Sequence, residues 1–436
     1  MTIITGLAVH DVRAPTSRTL AGSDAVHSDP DYSAAYVVLH TDDPGGTNGH
    51  GLTFTIGRGT EVVVAAVHAL APHVVGRDVG DLAISMGPLA RSLARDGQLR
   101  WIGPEKGVLH LATAAVLNAT WDLVAKAAGQ PLWQVVASMT PERQVDLVDW
   151  RYLSDALTPA MALERLTAQA PRRAEMIAQL GASGIPAYTT SAGWIGYEED
   201  EIRARCRAAL AQGFTHLKAK VGGTIEADRW RLEVVRSEIG DLPLAVDANQ
   251  VWEVDEAIAH VRALADFNLA WIEEPTSPDD ILGHAAIARG VAPIPVATGE
   301  MCQNRVMFKQ FLAAGAMQIA QIDACRLASV NEVFAVLLLA AEHGVPVCPH
   351  AGGVGLCEYV QHLAAIDAIC VTGTTTGRVV EYADPLHEHF VDPAVIRGGS
   401  YVLPSAAGYS AQIKAASLAE FAFPDGPEWA SRIFAS

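Results

Sequence analysis

The side chains with the most evident chemical use recur at a regular spacing in the second half of the chain. Each is an acid or a base that ends a short apolar run, 23 to 27 residues after the one before: Lys220, Asp247, Glu273, Glu300, Asp323 and His350. The set offers one amine, four carboxylates and one imidazole. Groups of these types can hold a divalent cation and move protons beside it.

Asp247, Glu273 and Glu300 form a set of oxygen ligands that includes no cysteine or histidine. Hard oxygen ligands suit Mg²⁺, which keeps coordination positions open for water and substrate. Each carboxylate alone could be a solvated loop acid or a helix cap, but their matched positions at strand ends predict one Mg²⁺ per subunit. Glu274 should point away from Glu273 in a strand and support the site from behind.

Lys218 and Lys220 are two residues apart, so in a strand they project from the same side. Burying two ammonium groups is costly unless the site uses them, because desolvation disfavours their charged forms. A like-charged neighbour and a nearby divalent cation both lower the pKa of a lysine. One of the pair is therefore predicted to serve as a base, although both could also be surface lysines with buried stems.

Asp323 and His350 would end two neighbouring strands, where the carboxylate can orient the imidazole and raise its proton affinity. A lone histidine is more often structural, but the glycine-rich turn at 351–355 would bring backbone close to a ligand. The pair predicts a general acid or base. A cation with a lysine on one side and a histidine on the other suits abstraction of a proton next to a carboxylate.

Parallel strands that alternate with helices would bring these residues together. The strands of a parallel barrel all open at their carboxyl ends onto one face, so residues distant in sequence converge there. Apolar runs of strand length predict strands at 184–191, 216–220, 244–249, 270–275, 296–300, 319–323, 345–350 and 378–382. The intervening segments predict helices at 198–211, 224–238, 254–265, 279–288, 305–314, 329–343 and 355–369.

The first part of the chain predicts a separate α+β domain. Strand patterns precede helical patterns there, and Gly87-Pro88 should break the second helix. The predicted strands cover 3–13, 34–40 and 52–56, and the predicted helices 60–70, 82–95 and 108–128. We predict an α+β capping domain over 1–150, a barrel over 151–385, and a C-terminal segment over 386–436 that packs back on the capping domain.

Composition narrows the class of protein. The net charge of −18 over 436 residues, with no Lys/Arg cluster, argues against a nucleic-acid partner. The N-terminal residues do not predict a signal peptide, and no uncharged apolar run reaches the eighteen or so residues of a membrane span. The six cysteines form no C-x-x-C pair and predict buried thiols in a reduced compartment. We expect a soluble, cytoplasmic protein.

Together these residues resemble the mandelate-racemase branch of the enolase superfamily. Lys218-Ala219-Lys220 is similar to the K-x-K motif of this branch, and Asp247, Glu273 and Glu300 are similar to its metal ligands. The segment 114–132 looks like the helix that leads into the barrel. Longer and more specific segments resemble the L-fuconate dehydratase group of the branch: 29–36, 101–107, 273–284, 348–358 and 386–390.

The resemblance implies an α/β fold, a (β/α)₇β TIM-like barrel under a capping domain, with Mg²⁺ as cofactor. It implies loss of water from a six-carbon sugar acid, L-fuconate first, to give a 2-keto-3-deoxy acid. Lys220 would remove the C2 proton, and His350, paired with Asp323, would protonate the departing C3 hydroxyl. The substrate contacts it suggests are Lys218, Asn249, Glu381, Ser191, His27 and Tyr32. Members are commonly oligomeric, so a homo-oligomer is expected.

Other functions stay open at this point. Two opposed bases also fit a racemase or epimerase, or a dehydratase of another hydroxy acid, because this fold hosts many reactions. A metal-dependent hydrolase would want a His-x-His after the first barrel strand, and residues 188–191 offer none. A barrel that serves only as a binding module is the non-enzymatic alternative, which the joint presence of Lys220, His350 and the three carboxylates disfavours.

Overall fold

In the computed structural model, which describes residues 1–433, the chain begins with a three-stranded antiparallel sheet in the order β1-β2-β3. The strands are β1 (Ile4–Arg13), β2 (Tyr32–Thr41) and β3 (Gly49–Ile56). The first eight residues of the central strand β2 are all buried, since a strand lies on each side of it and helices cover the sheet. The strand predictions for this region are confirmed.

Helices of the first region cover this sheet. They are α1 (Thr60–Leu70), α2 (Val79–Ala94), α3 (Gly107–Ala127), α4 (Leu132–Ala137) and α5 (Pro141–Asp146). Within α2 the non-helical residue is Ser85, with φ −125°, rather than Gly87 or Pro88. Pro88 has no N–H and its ring crowds the carbonyl one turn earlier, so the kink precedes the proline. The predicted break is therefore displaced by half a turn or more toward the N-terminus.

The long helix α3 lies against β3 at very close range. A Cβ atom at Gly51 would fall 2.2 Å from the backbone nitrogen of Ala119, so only glycine permits this approach. Helix α3 is also long and apolar enough to pass a test for a membrane span, but 89% of the tested window is buried inside the protein. A buried core helix accounts for this composition.

A larger parallel sheet forms the second region. Its strands are β4 (Ile185–Gly193), β5 (Leu217–Lys220), β6 (Leu244–Asp247), β7 (Leu269–Glu273), β8 (Val296–Thr298), β9 (Ile319–Ala320) and β10 (Val380–Tyr382). Strands β4 to β9 pair in chain order, and β10 pairs with β4 in parallel. This is the arrangement expected of a barrel that curls round to bring its last strand beside its first.

The predicted seventh strand, residues 345–350, does not form a continuous strand. It makes an isolated parallel bridge between Val347 and Ala320. Backbone hydrogen bonds still cross this gap: Cys348 N–H donates to the Ala320 carbonyl over 2.9 Å, and Glu381 N–H donates to the Pro349 carbonyl over 3.2 Å. Proline lacks an N–H and cannot donate to a ladder, so Pro346 and Pro349 interrupt the pairing.

Helices connect the strands as the sequence predicts. They are α8 (Glu199–Ala211), α9 (Ile225–Ile239), α10 (Val254–Ala263), α11 (Ile281–Val291), α12 (Arg305–Ala313), α13 (Val330–Glu342) and α14 (Leu356–Ile366), which continues as a π-helix over Asp367–Thr372. Two further helices precede β4 and were not predicted: α6 (Pro159–Gln169) and α7 (Arg173–Ser183). All six cysteines are buried free thiols.

The C-terminal residues contact both regions. The short strands β11 (Ile396–Arg397) and β12 (Ser400–Tyr401) form a hairpin whose second strand pairs antiparallel with β4. The helices α15 (Ala415–Glu420) and α16 (Pro427–Ile433) follow, and Arg13 N–H of β1 donates to the Phe421 carbonyl over 2.9 Å. The last three residues of the predicted 386–436 segment lie outside the described range. The proposed boundaries at 150 and 385 stay predictions.

Buried ion pairs join the two regions around Arg305, at the start of α12. Its Nη1 lies 2.8 Å from Glu105 Oε2 and 3.0 Å from Glu332 Oε1. Arg151 lies 2.8 Å from both Glu105 and Asp149. Acidic and basic side chains alternate in this group. We call its five residues the interface cluster: Glu105, Asp149, Arg151, Arg305 and Glu332.

Candidate active site

Consecutive strand ends place the predicted site residues along one rim. In the parallel register Lys220 lies beside Asp247, and Asp247 lies beside Glu273. Glu300 follows β8 after Gly299, whose φ is 134° and whose missing Cβ would fall 2.6 Å from the carbonyl oxygen of Gln321. Only glycine can make this turn, and the turn brings Glu300 over the same rim.

The three carboxylates approach one another closely. Asp247, Glu273 and Glu300 each offer an oxygen within 4.8 Å of the other two, and all three residues are buried. Asn249 N–H donates to Asp247 Oδ1 over 2.9 Å, and Trp271 Nε1–H donates to Glu273 Oε2 over 3.1 Å. Oriented, buried carboxylate oxygens are the donors that a hard divalent cation prefers. The residues present therefore fit the predicted Mg²⁺.

Glu274 lies outside this trio. Its Oε1 accepts a hydrogen bond from Gln250 Nε2 over 2.9 Å, and its backbone φ is 43°, a left-handed value uncommon outside glycine. Asn249 and Gln250 share this feature, with φ of 48° and 69°. Of these three residues with left-handed backbone, Asn249 and Gln250 line the cavity, and Glu274 reaches the site only through its bond to Gln250.

Both lysines form ion pairs with the carboxylates. Lys218 Nζ hydrogen-bonds Glu273 and lies 2.9 Å from Glu381 Oε1, while the Lys218 side chain is 1% exposed. Lys220 Nζ lies 2.6 Å from Asp247 Oδ2. Lys218 therefore sits on the floor of the site, and Lys220 lies one layer nearer to the opening.

The pKa of Lys220 shifts in the direction opposite to the one expected. Burial lowers this pKa most and the charge of Lys218 lowers it further, but the carboxylates of Asp247, Asp24 and Glu273 together raise it above its ordinary value. The expectation of a lowered pKa is thus wrong for the protein side chains alone, since it counted Lys218 and left out Asp247. A divalent cation bound to Asp247 would offset the negative charge that holds the lysine protonated.

His350 and Asp323 form the predicted pair. His350 Nδ1 lies 3.0 Å from Asp323 Oδ2, and Asp323 Oδ1 accepts hydrogen bonds from the N–H groups of Cys325 and Arg326, both over 2.7 Å. Burial lowers the pKa of His350, but the charge of Glu300 and the bond to Asp323 raise it to about 9. These neighbours favour the protonated imidazole, which can donate a proton.

One cavity opens above these residues, between the barrel rim and the capping region. The barrel supplies Lys218, Lys220, Glu300 and His350 to its wall, and the capping region supplies the loop between β1 and β2 together with part of β3. The capping residues that line it are Gly22, Asp24, Val26, His27, Pro30, Tyr32, Phe54 and Ile56. A cavity that joins apolar walls to a few convergent charged groups is typical of a small-molecule site.

Most of the predicted substrate contacts line this cavity: Lys218, Asn249, Glu381, His27 and Tyr32. Ser191 does not belong to this group. It is buried, and Asp384 N–H donates to its Oγ over 3.1 Å. Successive residues of a strand face opposite ways, so Thr190 reaches the cavity and Ser191 does not. The roles of the remaining residues stay predictions.

Asp24, Thr190, Trp194, Gln250, Met301 and Arg326 also line the cavity, and none of them was predicted from the sequence as a site residue. Trp194 and Arg326 lie in loops that carry no periodic pattern. Asp24 lies in a polar loop whose composition indicated only irregular structure. A signal for Arg326 was available, because it follows Asp323 by three residues, within reach of its carboxylate.

Comparisons with known proteins agree with this geometry. Residues 22–136 match the family model described as "Mandelate racemase / muconate lactonizing enzyme, N-terminal domain", and residues 201–417 match "Enolase C-terminal domain-like". The L-galactonate dehydratase of Hypocrea jecorina is 51% identical over 434 residues, which cover 98% of this chain and 96% of that protein.

Solved structures show the same fold over nearly the whole chain. Human mitochondrial enolase superfamily member 1 has 52% identity and a TM-score of 0.97, with 99% of this chain and 98% of that chain covered. A racemase from Streptomyces coelicolor A3(2) with bound magnesium has a TM-score of 0.75 and 24% identity, with 96% of this chain and 100% of that chain covered. The second likeness concerns the fold only.

Proposed function

We propose, because the chain belongs to the enolase superfamily, that the protein is a Mg²⁺-dependent dehydratase of a six-carbon sugar acid. The observation that carries this proposal is a cluster of three carboxylates, one of which, Glu300, lines a cavity together with Lys220 and the paired histidine His350. The 51% identity to an L-galactonate dehydratase supports the same class of reaction.

Asp247, Glu273 and Glu300 would hold the Mg²⁺. The ion would supply positive charge next to the substrate carboxylate, where negative charge develops when the neighbouring C–H bond breaks. The magnesium in the racemase of the same fold is in keeping with this choice of ion.

Lys220 would take the C2 proton. Its Nζ lies 2.6 Å from Asp247, so it stands beside the metal site and faces the cavity. Lys218, which lies beneath it, would keep the floor of the site positively charged where the substrate carboxylate binds. A base needs a lone pair, and neutralisation of Asp247 by a bound cation favours the unprotonated amine.

His350 would act as the acid. Its protonated imidazole lies within reach of the cavity and would give a proton to the C3 hydroxyl, which leaves as water. Asp323 fixes the ring through Nδ1, so that Nε2 faces the substrate. The C2 electron pair forms the C2–C3 double bond as the C3–O bond breaks, and the resulting enol becomes a 2-keto-3-deoxy acid.

Two substrates deserve direct comparison, L-fuconate and L-galactonate. L-fuconate is 6-deoxy-L-galactonate, so both present the same C2 hydrogen and C3 hydroxyl to Lys220 and His350. The sequence resemblance favours L-fuconate, whereas the 51% identical relative bears the name of the other acid. They differ only at C6, which would lie against the capping residues, whose apolar side chains Val26, Phe54 and Ile56 suit a methyl group.

Racemisation or epimerisation of a hydroxy acid is the second candidate. Lys220 and His350 both line the cavity, so one could remove a proton and the other return it. The two reactions differ in product, since dehydration gives a keto acid and epimerisation gives an isomer of the substrate.

The test is product analysis with the full-length protein and Mg²⁺. We expect L-fuconate and L-galactonate each to yield a 2-keto-3-deoxy acid, with turnover lost after chelation and restored by Mg²⁺. Isomerised substrate without keto acid would replace the proposal with the epimerase alternative. Absence of turnover on any sugar or hydroxy acid, with Mg²⁺ bound, would favour a binding module.

A further inference from the structure

The last barrel strand, β10, is short and incompletely paired, although it carries Glu381 to the cavity. On one side it pairs in parallel with β4. On the other side residues 345–350 form no continuous strand, and Glu381 N–H donates to the Pro349 carbonyl over 3.2 Å. Contacts from elsewhere in the chain therefore have to help hold the end of this strand.

The carboxylate of Glu381 depends on the position of this strand end. Its Oε1 lies 2.9 Å from Lys218 Nζ, and its Oε2 accepts a hydrogen bond from Ala351 N–H over 2.7 Å. A shift of the strand end would lengthen both contacts at once. The place of Glu381 thus links the lysine at the floor of the site to the turn after His350.

The C-terminal segment contacts three consecutive residues at the end of β10. Tyr401 Oη–H of β12 hydrogen-bonds the Glu381 carbonyl. The imidazole of His387 stacks on the ring of Tyr382, with centroids 4.9 Å apart and planes inclined by 8°. Its Nε2 lies 2.9 Å from the carbonyl oxygen of Ala383. His387 therefore contacts both of the residues that follow Glu381.

A buried carboxylate of α14 fixes the ring of His387. Glu358 Oε1 lies 2.7 Å from His387 Nδ1, and the Glu358 side chain is 1% exposed. Both ring nitrogens thus face acceptor oxygens, a carboxylate and a carbonyl, and an imidazolium satisfies both by donating from each nitrogen. Burial lowers the pKa of His387, but the charges and hydrogen bonds of Glu358 and Cys357 together raise it above its ordinary value.

We propose that Glu358 and His387 form a positioning pair, which holds the end of β10 so that Glu381 keeps its place in the site. Neither residue lines the cavity, so the pair acts through Glu381 and not on the substrate. The two residues lie in the segments 348–358 and 386–390, whose resemblance to dehydratases had no role attached to it at these positions. The inference rests on the proposed dehydratase function for its effect on turnover.

The first test is kinetic and uses the full-length, Mg²⁺-loaded protein. His387→Gln replaces the charged ring, which bridges two oxygens and stacks on Tyr382, with a neutral amide. It should lower kcat/KM for L-fuconate and L-galactonate about tenfold, as expected for the loss of one charged hydrogen bond. Glu358→Gln should act in the same direction, and the double variant should lose no more than His387→Gln alone, because the two residues act as one unit.

His362→Gln is the matched control. His362 lies one turn after Glu358 on α14, is buried, and also contacts the C-terminal segment, where its Nε2 lies 3.0 Å from Ser410 Oγ. Its Nδ1 accepts a hydrogen bond from Trp133 N–H over 3.4 Å, so its ring is bonded away from the end of β10. This variant should lower the free energy of unfolding and leave kcat/KM unchanged.

A second measurement follows the Glu381 carboxylate without any turnover. Ala351 N–H donates to that carboxylate, whereas the N–H of the preceding residue, His350, donates to the Ile322 carbonyl over 3.0 Å. In His387→Gln, amide hydrogen exchange followed by NMR should become about tenfold faster at Ala351 relative to His350. In His362→Gln the ratio of the two exchange rates should equal that of the parent, because general destabilisation affects both amides.

The inference is overturned by an unchanged exchange ratio in His387→Gln, by additive losses in the double variant, or by an equal loss of kcat/KM in His362→Gln. A changed exchange ratio with normal kcat/KM in His387→Gln would also overturn it, while the proposed function would stand. If the parent protein turns over no sugar acid, the proposed function fails, and the exchange ratio then decides by itself whether the pair positions Glu381.

Discussion

Two groups of buried charges lie in this molecule, and they differ in how the charges are matched. In the interface cluster each carboxylate lies against a guanidinium, as Glu105 does against Arg305 and Arg151. At the barrel rim three carboxylates lie within 4.8 Å of one another, two lysines pair with two of them, and the third, Glu300, lines a cavity. Burial of charged side chains is therefore not by itself a sign of function. Several like charges held close together beside a cavity are such a sign.

The difference has a physical basis. A matched buried pair needs nothing further, since each charge is compensated by its partner. Like charges held together cost free energy unless a ligand of opposite charge neutralises them, which is what a metal site provides. Substitutions at the rim should therefore lower turnover, whereas substitutions in the interface cluster should lower the free energy of unfolding.

The largest effect is expected from Lys220→Ala at the rim. Loss of the base should lower kcat for sugar acid dehydration by about 10² to 10⁴-fold, because the group that takes the C2 proton is removed. Product formation measures the change, and Mg²⁺ titration by calorimetry serves as the control, since the three carboxylates remain. Turnover within a few fold of the parent would remove Lys220 from the mechanism.

Arg305→Ala should act on stability instead. Its removal leaves Glu105 and Glu332 buried without this partner, which costs about 3 to 5 kcal/mol in the free energy of unfolding. Denaturant unfolding measures it. Arg165→Ala breaks an exposed pair with Glu342 at 3.1 Å and should cost at most about 1 kcal/mol. Equal losses in the two variants would contradict the distinction between buried and exposed pairs.

The smallest effect concerns the acid side of the pH–stability profile. Burial raises the pKa of Asp149, but hydrogen bonds from Arg151 and Arg95 and the charge of Arg305 lower it to about 2. A lowered pKa contributes stability above the ordinary value of 3.8, and that contribution is lost as pH falls toward 2.

Urea midpoints for the parent and Asp149→Asn should accordingly differ at pH 7 and at pH 5 and converge between pH 4 and pH 2. Asp146→Asn, an exposed acid on the same segment, should run parallel to the parent throughout. A gap between parent and Asp149→Asn that persists at pH 2 would show that the carboxylate acts through something other than its charge.

The contrast also explains what the sequence could and could not predict. The spacing of Lys220, Asp247 and Glu273 reflects the repeat of strand and helix, which is local, so both the strands and the convergence of their ends followed from it. The seventh strand was predicted from its apolar residues. It is reduced to a single bridge because Pro346 and Pro349 have no N–H to donate, a feature that the apolar pattern does not reflect.

Residues that depend on long-range contacts were harder to predict. Asp24 reaches the cavity because Ser23 is tied to Ile195, 172 residues away in the chain, and no periodicity marks such a contact. The direction of the Lys220 pKa shift depends on which charge lies nearest, and a strand pattern does not give that distance. Ser191 was assigned to the wrong side by one residue, which in a strand reverses the direction of a side chain.

The glycine turn after His350 bears on how such enzymes could be recombined. The ring of Phe54 of β3 occupies the space where a Cβ of Gly353 would be, at 2.8 Å, so the two chain segments are fitted to each other. In a chimera with the capping domain of one relative on the barrel of another, this contact would have a steric overlap or a void unless both of its residues come from the same protein. The capping domain and the barrel can therefore be exchanged between relatives only if Phe54 and Gly353 are exchanged as a pair.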